Sequence, residues 1–361
     1  TLSDKECAKY GPPIKSNKSY LSKDNNLKNK SNNNNQENNS NVDHNNKHAL
    51  TNRHNSTFIS TANEFLGVGG FSKVYKYSGD IEHKAVKKIS LNPKIYSAKL
   101  TIVDSVKREI YGLVRCNCEH SVKLFNAFQN EAKDNFYLLI EQCNGNLEQL
   151  ITELGRPLKS CEIKEILTQL NEVFFLLFKY NIIHRDIKPT NILYCDLNQN
   201  DENFQYNDKL PFRGKKYIFK ITDYGVCLPL YDKQYSISQF MGTLDFMAPE
   251  IYEKKTSIEL PVYTTKIDLF SLGESILNAM GFIKKAKPLD FKAINNLRQE
   301  NTLFEGNYQD QLLADLIFNN LLVVDPEERV GWEMYFLHPF FENYENEIND
   351  YNIKEKRDEE N

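Results

Sequence analysis

The chain has 361 residues, 40% of them apolar and 12% aromatic, which is enough for one large domain or two modest ones. Its formal net charge of -4 gives no electrostatic argument for nucleic acid, which usually requires a basic face, so we expect no nucleic-acid partner. The seven cysteines lack the spacing of a disulfide framework, so we expect reduced thiols and a cytoplasmic or nuclear location. No apolar run approaches the roughly 18 residues of a membrane span, so we expect no such span.

The N-terminal segment is polar and rich in asparagine. Asparagine dominates residues 25–55, with Lys, Ser and His between the asparagines and almost no large apolar side chains. Such a composition cannot bury enough surface to offset the entropy cost of ordering the chain. We therefore predict a disordered tail over residues 1–57. At the other end, residues 342–361 are predicted to form an acidic tail.

A glycine-rich turn, a strand and a helix follow the tail. The turn at residues 67–74 reads Gly-Val-Gly-Gly-Phe-Ser-Lys-Val, and its glycines allow backbone amides to approach phosphate oxygens. Alone it is weak evidence, because most such turns are ordinary hairpins. The predicted strand at 84–89 carries Lys87. Residues 104–116 have the apolar spacing of a helix, with Glu109 beside the stripe.

The stretch at residues 183–193 places polar and charged side chains between two apolar flanks. Asp186 could accept a proton from an attacking hydroxyl, and Lys188 could neutralise charge on a migrating phosphoryl group. Asn191 offers a neutral oxygen to Mg²⁺, a hard cation that prefers oxygen ligands. The pattern therefore predicts a loop that handles a hydroxyl, a phosphate and a metal.

Three further segments follow this loop. Residues 196–216 form a polar stretch rich in Asn and Asp, far longer than the 2–5 residues of a hairpin turn, so we predict a mobile insertion. The next strand ends in Asp-Tyr-Gly at 223–225, where the glycine permits a sharp backbone turn. Residues 242–250 read Gly-Thr-Leu-Asp-Phe-Met-Ala-Pro-Glu.

In this order, the segments resemble the motifs of eukaryotic-type serine/threonine protein kinases, over residues from about 60 to 341. Residues 184–191 match the catalytic loop H-R-D-x-x-x-x-N, and 223–225 match D-F-G with Tyr in place of Phe. Residues 242–250 resemble the end of an activation segment. The turn at 67–74 resembles the loop that covers the phosphates, except that Ser72 stands where the third glycine is usual.

The resemblance implies an α+β fold with two lobes. The small N-lobe, residues 58–143, is expected to be β-rich with one main helix, and the larger C-lobe, residues 144–341 with the 196–216 insertion, to be helical. Three residues of the C-lobe have structural roles in the family: Asp268 braces the catalytic loop, and Arg329 pairs with Glu250.

The resemblance also implies which residues carry the chemistry. Asp186 and Lys188 are expected to act on the attacking hydroxyl and the transferred phosphoryl group. Lys87 is expected to contact the α- and β-phosphates, and Glu109 to form an ion pair with Lys87 in the active state. A lone glutamate on a helix would ordinarily belong to a solvated face, but the position of Glu109 after Lys87 favours the ion pair.

The implied cofactors are ATP and Mg²⁺, with Mn²⁺ as an alternative. Asn191 and Asp223 are expected to hold the metal. By the resemblance, the adenine edge is bound by the carbonyl of Glu141 and the N–H of Cys143. The full set of residues expected to bind nucleotide is Leu66, Gly67, Gly69, Val74, Ala85, Lys87, Ile140, Glu141, Cys143, Asn146, Leu193 and Thr222.

The implied function is transfer of the γ-phosphoryl group of Mg-ATP to protein substrates. Lys188 and Thr243 favour serine and threonine over tyrosine acceptors, because both are typical of that group. Ser236 and Ser238 are candidate phosphorylation sites for an upstream kinase, since Arg185 pairs with an activation-loop phosphate in relatives.

A pseudokinase scaffold that binds nucleotide without turnover is the alternative interpretation. Ser72 and Tyr224 depart from the family pattern and keep this alternative open, although every charged catalytic group is present. The subfamily is less defined: residues 140–146 and 325–341 are loosely similar to autophagy-initiating and calmodulin-dependent kinases, by analogy only.

Overall fold

The computed structural model describes residues 62–68, 72–77, 84–91, 96–199, 201, 204–230, 235–283, 289–299 and 308–341. The predictions for residues 1–57, Gly69 and residues 342–361 lie outside these ranges.

The first lobe is a five-stranded antiparallel sheet with one long helix. The strand order is β1-β2-β3-β5-β4, so β3 is the central strand. Both faces of β3 are covered, because Ala85 and Ile89 belong to the main core and Val86 to a smaller cluster with Tyr137 and Leu139. The elements are β1 (Ala62–Val68), β2 (Ser72–Tyr77), β3 (Lys84–Ser90), α1 (Tyr96–Arg115), β4 (Leu124–Gln129) and β5 (Asn135–Glu141).

Helix α1 begins earlier than its predicted start at residue 104. Its first half contains Thr101, Ile102 and Val103, three consecutive β-branched residues that lower helix propensity. Ile102 is nevertheless only 3% exposed and belongs to the main core. Tertiary packing therefore overrides the local preference and extends the helix toward its N-terminus.

The second lobe is mainly helical, with short strands near its junction with the first lobe. Strands β6, β8 and β9 form one small sheet, while β7 pairs with β10 and β11 pairs with β12. The helices are α2 (Leu147–Leu154), α3 (Ser160–Lys179), α4 (Pro249–Tyr252), α5 (Lys266–Ala279), α6 (Phe291–Gln299), α7 (Tyr308–Asp315), a π-helix (Leu316–Leu321) and α8 (Trp332–Phe336). The strands are β6 (Gly145–Asn146), β7 (Ile182–Ile183), β8 (Ile192–Asp196), β9 (Tyr217–Ile221), β10 (Leu228–Pro229), β11 (Tyr235–Ile237) and β12 (Val262–Thr264).

Helix α3 runs through the core of this lobe and delivers the chain to the catalytic loop. The ring of Phe174 packs against Trp332 and Tyr335 of α8, with centroids 5.2 and 6.4 Å apart. Arg329, which is 1% exposed, binds Glu250 through two hydrogen bonds of 2.8 and 2.9 Å. This confirms the pair predicted from the resemblance. The α+β architecture with a β-rich and a helical lobe is also confirmed.

The predicted insertion at 196–216 is anchored rather than free over its described part. Lys215 binds Asp196 at 2.7 Å and ties the two ends of the segment together. Phe212 is fully buried, and its N–H donates to Glu162 Oε1 at 2.7 Å. Glu162, itself fully buried, accepts two hydrogen bonds from Arg156. A segment held in this way differs from the mobile insertion that its composition predicted.

Across the described ranges, no helix has both the length and the apolar character needed to cross a membrane.

Candidate active site

Lys87, on the central strand β3, lies between two carboxylates. Its Nζ donates to Glu109 Oε1 at 2.5 Å and to Asp223 Oδ1 at 2.9 Å. Glu109 belongs to α1 of the first lobe, whereas Asp223 follows β9 of the second. The Glu109 side chain is 5% exposed and that of Asp223 is 46% exposed. Lys87 therefore links the lobes, with one buried partner and one partner open to solvent.

Electrostatics favour the charged forms of Lys87 and Asp223, whereas burial raises the pKa of Glu109 against the attraction of Lys87. Burial disfavours the ammonium form of Lys87, but the carboxylates of Glu109 and Asp223 outweigh burial and raise the pKa of Lys87. The same ammonium lowers the pKa of Asp223 against the effect of burial. Asp223 is thus an ionised carboxylate at neutral pH, which is the form that coordinates a metal.

Both oxygens of Asp186 are held by neighbouring donors. Oδ1 accepts hydrogen bonds from the Thr243 N–H at 3.0 Å and from the Thr243 hydroxyl at 2.6 Å. Oδ2 accepts one from Asn191 Nδ2 at 2.9 Å and lies 2.9 Å from Lys188 Nζ. Lys188 in turn donates to Thr243 Oγ1 at 2.5 Å. The catalytic loop and the activation segment therefore meet at this carboxylate.

The backbone of the loop rests on Asp268, near the start of α5. Asp268 accepts hydrogen bonds from the N–H groups of His184 at 2.6 Å and Arg185 at 2.9 Å. Burial raises the pKa of Asp268 to about 7, although the two amide donors oppose this rise. Arg185 has a left-handed φ of 66°, a conformation that costs energy for a non-glycine residue and is sustained by such contacts. The predicted bracing role of Asp268 is confirmed.

Asp186 and Asp223 both lie close enough to the His184 ring to influence its pKa. Burial lowers the pKa of the His184 ring, and the charges of both carboxylates oppose this effect. Lys188 in turn contributes to the low pKa of Asp223. Asp223 also has a left-handed φ, of 66°, which turns its side chain back toward Lys87. The two carboxylates therefore share His184 and Lys188 as neighbours.

Tyr224, the residue that replaces the usual phenylalanine, is fully buried beneath α1. Its hydroxyl lies 3.0 Å from Ser121 Oγ and also contacts the Cys116 thiol. Its ring lies against His184, with centroids 4.9 Å apart. On the helix side, a Cβ at Gly112 would lie 2.5 Å from three atoms of Tyr224. The aromatic ring therefore packs directly on the helix backbone, and the extra hydroxyl has a buried partner.

Two residues of α1 that the motifs did not identify hold the Asp-Tyr-Gly turn. Ser105 Oγ donates to the carbonyl of Gly225 at 2.9 Å, and Arg108 Nε donates to the same oxygen at 3.1 Å. Cys227 Sγ donates to the Arg108 carbonyl at 3.4 Å. The available signal was spacing, because Ser105 lies one helical turn before Glu109 and shares its face.

The predicted nucleotide-binding residues of the sheet lie close together. In the register, Val74 of β2 faces Lys87, and Ala85 of β3 faces Ile140 of β5. Ala85 and Ile140 are 3% and 8% exposed, so they form an apolar floor beside the lysine. Leu66 is 41% exposed, and no atom lies within 4 Å of a Cβ built on Gly67 among the described residues. The predictions for these positions await a nucleotide-binding measurement.

The remaining predicted nucleotide contacts lie where the lobes join. Glu141 ends β5 and Cys143 follows it as a half-buried residue. Asn146 caps α2, since its side chain accepts a hydrogen bond from the Gln149 N–H at 3.1 Å. Leu193 pairs with Asn146 across β6 and β8. The Thr222 carbonyl lies 3.2 Å from Nε2 of His184. The side-chain oxygen of Asn146 is already engaged in capping α2, so it is not available to bind a ligand in this conformation.

Asn191 and Asp223 offer oxygen ligands that suit a magnesium ion whose coordination is completed by substrate phosphates. Asn191 uses its Nδ2 on Asp186, which leaves its amide oxygen for a metal, and Asp223 adds a carboxylate open to solvent. Within the described ranges, no group of three or more His, Cys, Asp or Glu side chains could enclose a metal. Mg²⁺ is typically bound by one or two carboxylates together with substrate phosphates, which matches this open arrangement.

Of the two candidate phosphorylation sites, Ser238 lies beside Arg185. Ser238 Oγ accepts a hydrogen bond from Arg185 Nη1 at 3.2 Å. Ser236, on β11, pairs through its backbone with Tyr263 of β12. The guanidinium of Arg185 also stacks on the Tyr263 ring, 5.0 Å from its centroid.

Comparison with known proteins gives consistent results. A sequence model described as the protein kinase domain matches residues 60–341. Serine/threonine-protein kinase 10-A of Xenopus laevis is 31% identical over 59% of this chain and 20% of its own length. Kinase dst2 of Dictyostelium discoideum is 27% identical over 78% of this chain and 22% of its own length. Kinase ATG1c of Arabidopsis thaliana is 27% identical over 76% of this chain and 34% of its own length.

This chain spans only part of each relative, reaching 46–61% of the length of three others that are 24–27% identical to it. The relatives belong to several kinase groups at similar identity, so the comparisons establish the family without singling out a subfamily. The match over residues 60–341, together with the two-lobed fold and the Lys87, Asp186 and Asp223 site, identifies the chain as a member of the eukaryotic-type serine/threonine protein kinase family.

Proposed function

We propose that this chain transfers the γ-phosphoryl group of Mg-ATP to serine or threonine hydroxyls of proteins. The observation that carries the proposal is the complete lysine cluster. Lys87 contacts Glu109 and Asp223 at once, so the phosphate-binding lysine and the metal-binding aspartate are already in place. In protein kinases this ion pair and the metal-binding aspartate must both be in place for activity.

Each residue has a distinct role in the proposed reaction. Bound Mg-ATP supplies the phosphoryl group, and its metal neutralises phosphate charge. Lys87, fixed by Glu109, holds the α- and β-phosphates, while Asp223 and Asn191 provide oxygen ligands for the metal. Asp186 orients the acceptor hydroxyl and takes its proton.

Lys188 stabilises the charge that develops on the transferred group. Its hydrogen bond to Thr243 supports the choice of serine and threonine acceptors, because both residues lie beside Asp186 in one network.

The alternative is a pseudokinase that binds nucleotide without turnover. Tyr224 was one reason to consider it, but its hydroxyl is accommodated by Ser121 and does not displace the ring from α1. Ser72 begins strand β2 and pairs with Ile89, which leaves the sheet intact at the end of the glycine-rich turn. Neither departure therefore removes a catalytic group.

A phosphorylation assay decides between the two. The wild type is incubated with [γ-³²P]ATP, Mg²⁺ and a peptide library, beside Asp186→Asn and the control Asp208→Asn, whose side chain is 86% exposed. We expect Asp186→Asn to lose at least about 100-fold in turnover, because general base catalysis contributes roughly 10²–10⁴-fold. The control should match the wild type. Equal labelling by Asp186→Asn would contradict the catalytic assignment.

We also propose that phosphorylation at Ser238, and to a lesser degree Ser236, orders the activation segment. Arg185 already contacts Ser238, and a phosphate there would replace a neutral hydrogen bond by a charge-assisted one. Phosphatase-treated protein should therefore be less active than the phosphorylated form, and Ser238→Ala should respond to phosphatase much less than the wild type. Unchanged rates in treated wild-type protein would contradict this proposal.

A further inference from the structure

Two cysteines from distant parts of the sequence meet where the lobes join. Cys143 lies between β5 and β6, and Cys195 lies on β8. Both are half-buried, and their thiols lie close enough for each to influence the pKa of the other. Cys161, by contrast, is exposed on α3, and none of its described interactions involves another thiol.

The backbone around the two thiols is tied together. The Asn144 N–H donates to the Tyr194 carbonyl at 2.9 Å, and the Asp196 N–H donates to Asn144 Oδ1 at 2.8 Å. Gly145 is paired with Tyr194 across β6 and β8. These contacts bracket Cys143 on one strand and Cys195 on the other. These contacts hold the two segments side by side, so a disulfide needs only a local shift of the backbone and no rearrangement of the fold.

The surroundings favour a reactive thiolate at Cys195. The Cys143 thiol, by hydrogen bonding, lowers the pKa of Cys195 below its ordinary value, and the pKa of Cys143 is correspondingly raised. Lys220 of β9 favours the thiolate, while Glu141, whose carboxylate lies 3.2 Å from Lys220 Nζ, opposes it. A thiolate that is partly accessible and next to a second thiol is the arrangement found in oxidation-sensitive cysteines.

We propose that Cys143 and Cys195 form an oxidation site that hydrogen peroxide converts into a reversible disulfide. The Cys195 thiolate attacks one peroxide oxygen and the O–O bond breaks, giving a sulfenic acid and a hydroxide that is protonated to water. The Cys143 sulfur then attacks the sulfenic sulfur, the S–S bond forms, and the sulfenic oxygen leaves as a second water with the Cys143 proton. Two thiols are oxidised and one peroxide is reduced.

The consequence for activity rests on the proposed function. The N–H of Cys143 is expected to bind the adenine edge, and a disulfide draws the two sulfurs to about 2 Å from each other. A displacement of the hinge by about 1 Å is enough to change rates by up to roughly 100-fold. We expect an intermediate effect, a rise of about tenfold in the KM for ATP, reversed by dithiothreitol.

Peptide mapping tests the site independently of kinase activity. The reduced full chain is treated with hydrogen peroxide, free thiols are blocked, and the protein is digested with trypsin without reduction. Cys143 and Cys195 each lie as the only cysteine in the tryptic peptides 134–159 and 186–209. We expect these two peptides to be recovered as a cross-linked pair in the wild type and in the Cys161→Ser control. Cys195→Ser and Cys143→Ser should each abolish the pair.

Two outcomes would overturn the inference. Recovery of the two peptides only with separate sulfinic or sulfonic acids would exclude the disulfide, as would random pairing with other cysteines. A cross-linked protein whose KM for ATP equals that of the reduced protein would exclude the effect on nucleotide binding. If the reduced protein has no kinase activity at all, the proposed function fails, but the mapping result still decides whether the disulfide forms.

Discussion

Replacing Ser121 by alanine is expected to destabilise the chain because it strands the hydroxyl of Tyr224. The two residues are 1% and 0% exposed, and their oxygens are 3.0 Å apart. Without Ser121, the Tyr224 hydroxyl retains one partner among the residues that the structure describes, the Cys116 thiol, which is a weak hydrogen-bonding group. Leaving a buried hydroxyl so poorly satisfied costs about 1–3 kcal/mol. At roughly 3 °C per kcal/mol, the melting temperature should fall by about 3–9 °C.

The matching second change is Tyr224→Phe, which removes the stranded hydroxyl. Removing both partners of a buried hydrogen bond can be nearly neutral, so the double variant should regain most of the stability that Ser121→Ala loses. The assay is thermal unfolding of the wild type, both single variants and the double variant, without nucleotide. The ring of Tyr224 is kept in all four proteins, so contact with α1 is preserved.

The double variant is the decisive measurement. Coupling between the two hydroxyls requires that the double variant be more stable than Ser121→Ala alone. If the losses of the two single variants simply add, the two groups are energetically independent and the reasoning is wrong.

Three further predictions concern the site and its supports. Lys87→Met should reduce phosphotransfer by more than about 100-fold, and it should also lower the melting temperature because the buried Glu109 carboxylate loses its partner. Adding Glu109→Gln should recover stability but not turnover. An unchanged melting temperature in Lys87→Met would count against the buried pair. Asn144→Ala should raise the KM for ATP by about two- to tenfold, in line with the loss of hydrogen bonds worth about 0.5–1.5 kcal/mol, without changing the KM for a peptide; equal changes in both would argue against a hinge role. Phe212→Ala should lower the free energy of unfolding, measured by urea titration, by about 3–5 kcal/mol. The control Leu210→Ala, at a residue that is 48% exposed, should lower it by less than about 0.5 kcal/mol. Similar values for the two variants would mean that Phe212 does not anchor the insertion.

The assembly of the Lys87 cluster could be predicted from the sequence because each of its charges belongs to a motif with its own spacing. Lys87, Glu109 and Asp223 come from a strand, a helix and a turn. In the structure, Lys87 Nζ lies 2.5 Å from Glu109 Oε1 and 2.9 Å from Asp223 Oδ1. The apolar spacing of residues 104–116 also predicted a helix correctly, since its period follows helix geometry. Both signals are local, and both survive without knowledge of the tertiary contacts.

The supports of the site could not be predicted because they depend on pairs that are distant in sequence. Ser121 and Tyr224 are 103 positions apart, and Arg108 reaches Gly225 across 117. The anchoring of the insertion likewise depends on Glu162, a carboxylate on α3 that composition alone would place on the surface. Polar composition therefore predicted mobility where one buried phenylalanine, Phe212, provides attachment.

Because Gly112 has no side chain, its position on α1 is expected to be intolerant of substitution. Because Tyr224 occupies the space of any Cβ there, even Gly112→Ala would push the ring away from the helix, although alanine is otherwise the better helix former. The chain therefore keeps a glycine in mid-helix although glycine disfavours the helix there. Every substitution adds at least a Cβ, which would displace Tyr224, so we expect position 112 to tolerate no other residue.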